Sequence, residues 1–236
     1  MKDLFIQNPI IPIVITLIAY IISYTIYIKT KFPVLTPLVT SVILVGFSLY
    51  FMHVPYNVYN ESGGKFINAM VGPATVVLAL PIYRNLPILK ANLAVILISI
   101  AIGSSIGIIG IFISAKLLGI SEALFPSLLT KSVTTAIAVD ITANMGGMKS
   151  ITVLSVIISG VVGAIVAPFV CKVFKIKSPL AVGLSIGTSS HAVGTSKAIE
   201  LGETEGAMSG LAIGVAGALT VVLLPILYKL FLMIWA

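Results

Sequence analysis

The sequence predicts an all-α, polytopic integral membrane protein, and three observations carry that prediction. Hydrophobic residues make up 58% of the chain and charged residues 9%, against about 25% charged in a soluble domain, and mean hydropathy is +1.18. So few charges cannot cover a water-facing surface. Several apolar runs reach the roughly 20 residues that a helix needs to cross a bilayer. The 14 Lys and Arg residues stand singly or in twos and threes between those runs, as charges that set membrane topology do. That scatter also argues against nucleic acid as the meaning of the net charge of +7. The 236 residues read as a single membrane domain, 1–236, with no room for a soluble domain of useful size.

Taken in order, MKDLFIQN leads into the apolar run 9–28, PIIPIVITLIAYIISYTIYI, with no small-residue cleavage site after it. We expect a retained first span there, not a cleaved signal peptide. Clean spans follow at 34–53, 91–116, 150–171 and 206–234. Segments 64–83, 122–145 and 178–202 are apolar enough to enter a bilayer but carry Gly, Pro, Ser, Thr and charged residues in their middles. Taken as broken or re-entrant helices, they bring the expected total to seven or eight transmembrane segments. Ser121-Glu122 and Thr204-Glu205 each offer a capping side chain and an acid to a helix N-terminus. Ser178-Pro179 offers a cap and a proline for the first helical position. Gly206, Gly210, Gly214 and Gly217 recur at three- and four-residue spacing, which predicts one flat helix face for close packing.

Charge placement adds an orientation. Lys29 and Lys31 outweigh Lys2, which Asp3 balances, so the N-terminus is expected outside and Arg84 and Lys90 inside. Lys172, Lys175 and Lys177 should also lie inside, which requires 122–145 to re-enter or form a hairpin instead of crossing once. Internal similarity points the same way. TVVLALPIYRNLPILK (75–90) slid onto TTAIAVDITANMGGMK (134–149) aligns Thr75 with Thr134, Ala79 with Ala138, Asn85 with Asn144 and Lys90 with Lys149. PFVCKVF (168–174) likewise resembles PILYKLF (225–231). These matches predict weak repeat units over about 66–117, 122–174 and 178–234, each a broken polar segment, a charged connection and a clean span.

Three segments concentrate the polar chemistry: GPATVVLALP (72–81), TKSVTTAIAVD (130–140) and GTSSHAVGTSKAIE (187–200). Irregular backbone at membrane depth is tolerated only where protein buries it or a watery cavity meets it. Broken helices so placed in transporters aim half-helix N-termini at anionic substrate groups. The candidate substrate-binding residues are Thr75, Lys131, Ser132, Thr134, Thr135, Ser189, Ser190, His191, Thr195 and Lys197. Their hydroxyls could donate to a carboxylate, and their cations could set the field. His191 and Asp140 are candidates for proton coupling, because an ionisable group inside a membrane is a functional candidate by default and histidine ordinarily titrates near pH ~6.5. Against this, Ser and Thr in membrane helices often bond only their own backbone, so each hydroxyl taken singly reads more readily as structural. His53, beside Pro55, reads as interfacial. Glu200 is placed to pair with Lys197 on one helix face, and Glu205 to compensate a helix dipole.

Absent motifs narrow the function. The chain has no phosphate-cradling loop for ATP, no His or Cys spacing for a metal and no cofactor motif. Cys171, the one cysteine, allows no internal disulfide. A histidine adjacent in sequence to Ser189 and Ser190 is not aimed at either hydroxyl as a base must be. The chain is therefore not expected to be an enzyme.

GPATVVLALPIY (72–83), KSVTTAIAVDI (131–141) and GTSSHAVGTSKAIELGETEGAMSGLA (187–212) closely resemble the signatures of the LrgB/CidB/YohK family, and the likeness covers nearly the whole chain. The resemblance implies a multi-pass protein of the bacterial cytoplasmic membrane that acts with a small LrgA/CidA-type membrane partner; a homo-oligomer is also compatible with it. Two functional expectations come with the family. One is an antiholin-like or holin-like role in murein hydrolase activity and cell lysis. The other is transport of small carboxylates such as pyruvate or, in the plant chloroplast counterpart, glycolate and glycerate. The residues favour transport, because three intramembrane breaks with hydroxyls and embedded cations exceed what a holin pore or an accessory regulator needs. We expect a carrier of a small monocarboxylate, with a proton as candidate coupling ion. The alternative is an antiholin-like regulator of murein hydrolase activity without transport.

Overall fold

The computed structural model describes residues 5, 8–30, 35–77 and 79–235, without the side chains at 71, 74, 75, 81, 234 and 235. Every element among the described residues is helical. Two compact units divide the chain, Met1–Val77 and Leu78–Ala236.

In the first unit, α1 (Ile10–Thr30) packs along α2 (Pro37–Phe51). α2 starts where Thr36 Oγ1 accepts the Val39 N–H at 3.5 Å and Pro37 takes a first-turn position, where a missing N–H costs nothing. It stops at His53, whose φ of 53° is left-handed, and α3 (Tyr56–Ala69) leaves at 114°. A π-helical turn, Asn60–Gly64, interrupts α3. There a Cβ on Gly63 would stand 2.7 Å from Pro12 Cβ, so only glycine permits the crossing with α1. α4 (Val71–Val77) ends the unit. Leu17, Ile18 and Ile21 of α1 are exposed, an apolar face of the kind that a bilayer covers.

The second unit opens with the short helices α5 (Ala79–Arg84) and α6 (Leu86–Ala91). It continues with α7 (Leu93–Leu117), α8 (Phe125–Leu129) and α9 (Thr135–Asn144). The last helices are α10 (Lys149–Val173), α11 (Pro179–Leu201) and α12 (Glu203–Trp235). Two parts of this unit double back. α8 and α9 form a first hairpin, since Thr130 Oγ1 beyond the end of α8 lies 3.1 Å from Thr142 Oγ1 near the end of α9. α11 is itself a second hairpin. His191 interrupts it with φ 42° and ψ −141°. Before the break Gly183 and Gly187 face Met208 and Ala212 of α12; after it Thr195 bonds Ser209, and Ile199 packs on Gly206. The register on α12 rises and then falls, so the second limb returns antiparallel to the first.

The hairpins approach α10 from opposite ends. Ser127 and Thr142 of the first meet Met148 and Thr152 at the start of α10. Val182, Ile186 and Ala198 of the second pack with Ala167 and Cys171 towards its end. Their turns meet against its middle, where Lys131 Nζ is 3.4 Å from Ser159 Oγ and His191 Nε2 is 2.9 Å from the Val156 carbonyl. α7 and α12 run in the same direction beside them. Ile96 and Ile100 pack with Ala207 and Met208, while Ile108 and Phe112 pack with Leu224 and Phe231. The Phe112 and Phe231 rings stack with centroids 4.1 Å apart.

Among the described residues four helices are long and apolar enough to cross a membrane: α1, α7, α10 and Glu203–Met233 of α12. The bent α2–α3 pair makes a fifth if it counts as one span. The expected seven or eight spans are thus not confirmed. Segment 64–83 divides into pieces of five, seven and six residues (Lys65–Ala69, α4 and α5), and 122–145 and 178–202 fold into hairpins. The repeat units are not confirmed either: 75–90 falls on three short helices, whereas 134–149 falls on α9 and a turn at Gly146, φ 75°.

Two of the expected helix caps are also corrected. α8 begins at Phe125, and Ser121 serves it with its carbonyl, which accepts the Leu124 and Phe125 N–H groups. Thr204 does not cap α12, because its hydroxyl is 3.1 Å from Asn85 Oδ1; Glu203 and Glu205 alone meet the dipole. Ser178 and Pro179 do hold the cap and first positions of α11, without a capping bond from Ser178 Oγ. The glycines of α12 share one stripe by helical period, but it meets several partners along its length: Gly206 meets Ile199, Gly210 meets Ile82 and Gly217 meets Ile137, while Gly214 meets nothing within 4 Å.

Candidate functional site

The turn of the first hairpin, residues 130–134, is held by buried hydroxyls. Thr152 Oγ1 on α10 lies 3.1 Å from both the Ser127 carbonyl and Thr142 Oγ1, which in turn meets Thr130 Oγ1. Ser127 Oγ accepts the Met148 N–H at 2.7 Å. All four side chains are buried, where an unpaired hydroxyl is costly, so the network fixes the turn on α10.

The second turn is keyed into a groove that α10 leaves open by having glycines. A Cβ on Gly160 would stand 2.6 Å from His191 Cε1, and one on Gly163 would strike the Ser190 side chain. The His191 ring is buried and donates from Nε2 to the Val156 carbonyl. Its positive φ strains a residue with a Cβ by on the order of 1–3 kcal/mol, which this docking offsets. Thr195 Oγ1 then donates to the His191 carbonyl at 3.0 Å and meets Ser209 Oγ at 2.7 Å, tying the returning limb across the break and to α12.

Between α7, the outgoing limb of α11, α12 and the first turn lies a cavity of about 450 Å³. Its lining runs along α7 from Val95 to Ile108 and along α11 from Leu180 to Ser189, and includes Lys131 and Ser132 of the turn. Lys131 is the only charged lining side chain among the described residues. Its Nζ lies 3.3 Å from Ser132 Oγ and 3.4 Å from Ser159 Oγ. It makes no ion pair among the described residues. An ammonium has three N–H groups, so one remains for a ligand. Ser185, Ser189 and Thr220 donate to the carbonyls of Val182, Ser185 and Ala216, and so present lone pairs to the cavity. Ser104 Oγ, also in the lining, is buried and has no hydrogen-bond partner among the described residues. A cation with no acid in the lining suits a small anion, while the lone pairs of Ser185, Ser189 and Thr220 suit a donor group on the same ligand.

The structure separates the residues singled out by sequence. Lys131, Ser132 and Ser189 line the cavity. Ser190 and His191 turn towards α10, and Thr195 towards α12. Thr134 is the half-buried N-cap of α9, and Thr135 is exposed beside it. Lys197 pairs with Glu200 at 2.7 Å. Asp140 is exposed on α9, and the side chain of Thr75 lies outside the described residues. Ser99, Ser104, Ser185, Thr188 and Thr220 line the cavity without having been anticipated. The string GSSIG (103–107) carries the signal for Ser104, a serine pair between glycines inside an isoleucine-rich span. In α11 the helical period puts Ser185, Thr188 and Ser189 on one face, apart from Ser190. Among the described residues no three His, Cys, Asp or Glu side chains gather to hold a metal.

The family model described as the LrgB-like family matches residues 16–230. A protein of Bacillus subtilis (strain 168) named uncharacterized protein YxaC is 38% identical over 222 residues, covering 94% of this chain and 96% of its own. Antiholin-like protein LrgB of Bacillus cereus (strain B4264) and of Bacillus anthracis (strain CDC 684 / NRRL 3495) are each 37% identical over 220 residues. Those matches cover 93% of this chain and 95% of the relatives. No solved structure matches the chain.

Proposed function

The chain belongs to the LrgB-like family, and from that premise we propose that it is a membrane carrier of a small monocarboxylate. One observation carries the reading. Two hairpin turns arriving from opposite ends meet at the middle of α10, beside a cavity in which Lys131 supplies the charge. Broken helices that meet near the midplane are where many carriers bind substrate, and irregular backbone at that depth needs protein or a cavity around it. Arg84, Lys90, Lys172 and Lys177 stand where α7 starts and α10 ends. The positive-inside rule assigns that end to the cytoplasm, so the cavity runs from the cytoplasmic end to mid-depth and the first hairpin closes it on the far side. Counted as re-entrant segments beside α1, the α2–α3 pair, α7, α10 and α12, the hairpins bring the membrane segments to seven. Each hairpin with its following long helix is then one unit, inserted in opposite senses. The chain performs no chemical step; it works in the bacterial cytoplasmic membrane with a small LrgA/CidA-type partner.

Reconstitution tests this. Proteoliposomes holding the protein, with and without that partner, should show saturable uptake of labelled pyruvate or glycolate, and Lys131→Met should abolish it at equal abundance. No saturable uptake of any small carboxylate with the partner present sinks the carrier reading.

The names of the relatives favour a second reading more directly than the first. Two of those above are called antiholin-like, which supports a regulator of cell lysis without transport. On that reading, deleting the protein alters the rate of autolysis, and cells carrying Lys131→Met lyse as wild type does.

A further inference from the structure

We propose that Ser104 is the residue by which the cavity tells one small carboxylate from another, its hydroxyl meeting a second oxygen on the ligand. The inference rests on the carrier reading above. Ser104 lies near the centre of the 25-residue helix α7 and is 8% exposed. Among the described residues, Ser104 Oγ is the one buried side-chain oxygen or nitrogen without a hydrogen-bond partner. The other buried hydroxyls show how such a group is normally settled in this chain. Ser23 and Thr220 bond the carbonyl four residues back, as helical Ser and Thr commonly do. Ser104 makes no bond of that kind and lines the cavity instead. Gly103 and Gly107 line the same stretch and add no side chains of their own, while Thr188 Cγ2 stands 3.3 Å from where a Cβ on Gly103 would be.

The ammonium of Lys131 lines the same cavity. Ile108, about 6 Å along the helix from Ser104, belongs to the same core cluster as Leu129, two residues before Lys131. A three-carbon ligand with its carboxylate on Lys131 and Ser132 brings the oxygen of its α-carbon towards Ser104. A hydroxyl both donates and accepts, so an α-hydroxyl and an α-keto oxygen are both served. A methylene in their place leaves Ser104 desolvated and unpaired, which disfavours that ligand by roughly tenfold.

Equilibrium binding to the full chain in lipid nanodiscs decides the matter, with lactate, pyruvate and propionate as probes because they share a carbon count. Wild type should bind lactate and pyruvate roughly tenfold more tightly than propionate. Ser104→Ala should bring that ratio to about one by weakening lactate and pyruvate while propionate is unchanged, and Ser104→Cys, close in shape, should fall between. Because no protein bond is lost, Ser104→Ala without ligand should melt no lower than wild type. An unchanged ratio in Ser104→Ala, or equal weakening of all three probes, overturns the assignment while leaving the carrier reading standing. A wild type that binds none of them even with the small partner co-reconstituted, or a Lys131→Met variant that binds all three normally, overturns both.

Discussion

Lys131 and His191 are two of the embedded ionisable residues that the sequence makes conspicuous, beside Lys197 and Asp140, and the fold puts them to different uses. Lys131 was legible because a lysine inside an otherwise apolar segment has few innocent explanations. The ring of His191 is turned away from the cavity by one torsion and by glycines more than 25 residues earlier in the chain, which no local pattern announces. Ser104 went unread for the opposite reason, since one serine in a span usually bonds its own backbone and only tertiary structure shows that it does not. His191→Ala should destabilise the protein by about 2–5 kcal/mol, as large-to-small changes at packed sites do, yet leave the carboxylate affinity of the folded fraction intact. Melting and binding measured on the same preparation check this; full stability with lost binding would instead put the ring in the site. Thr152→Val keeps the shape but removes the bonds to Ser127 and Thr142, at about 1–3 kcal/mol. It should weaken carboxylate binding although Thr152 does not line the cavity.

Among the elements, the long helices were readable to within a few residues because length and apolarity suffice to define them. The first hairpin was half-readable: the lysines after α10 demanded that 122–145 turn back, and the contact of Thr130 with Thr142 shows that it does. For the second hairpin the sequence announced a break but no return. A reversal at one residue needs a docking surface, and that surface is supplied by Gly160 and Gly163 of α10 and by α12. The tight crossing of α11 on α12 also comes from glycines other than the conspicuous row, since a Cβ on Gly187 would stand 2.8 Å from Ala212 Cβ. Gly187→Val should therefore lower stability by about 1–3 kcal/mol through overpacking. Gly214→Ala, which meets nothing within 4 Å, should be near neutral. Thermal melts of the two variants side by side test the asymmetry.

For the second unit as a whole, the opposed hairpins fix which loops share a membrane face. In a Cys171→Ser background, Lys90→Cys and Lys177→Cys should react with an impermeant thiol reagent from one side only, and Lys149→Cys from the other. Reaction of Lys90→Cys and Lys177→Cys from different sides would mean that 122–145 crosses after all. The overall count of spans was the least legible property, because hydropathy registers how apolar a segment is and not whether it comes back. The hydroxyl network around Thr152 also bears on synthesis. The ribosome finishes the first hairpin before α10 exists, so the nascent hairpin lacks the threonine that pins it, and Lys131 has no settled place in the lipid. A chain truncated after residue 148 should leave the first hairpin open to protease, and one extended through α10 should protect it. The lysine-bearing turn thus gains its fixed place only with the helix that follows it.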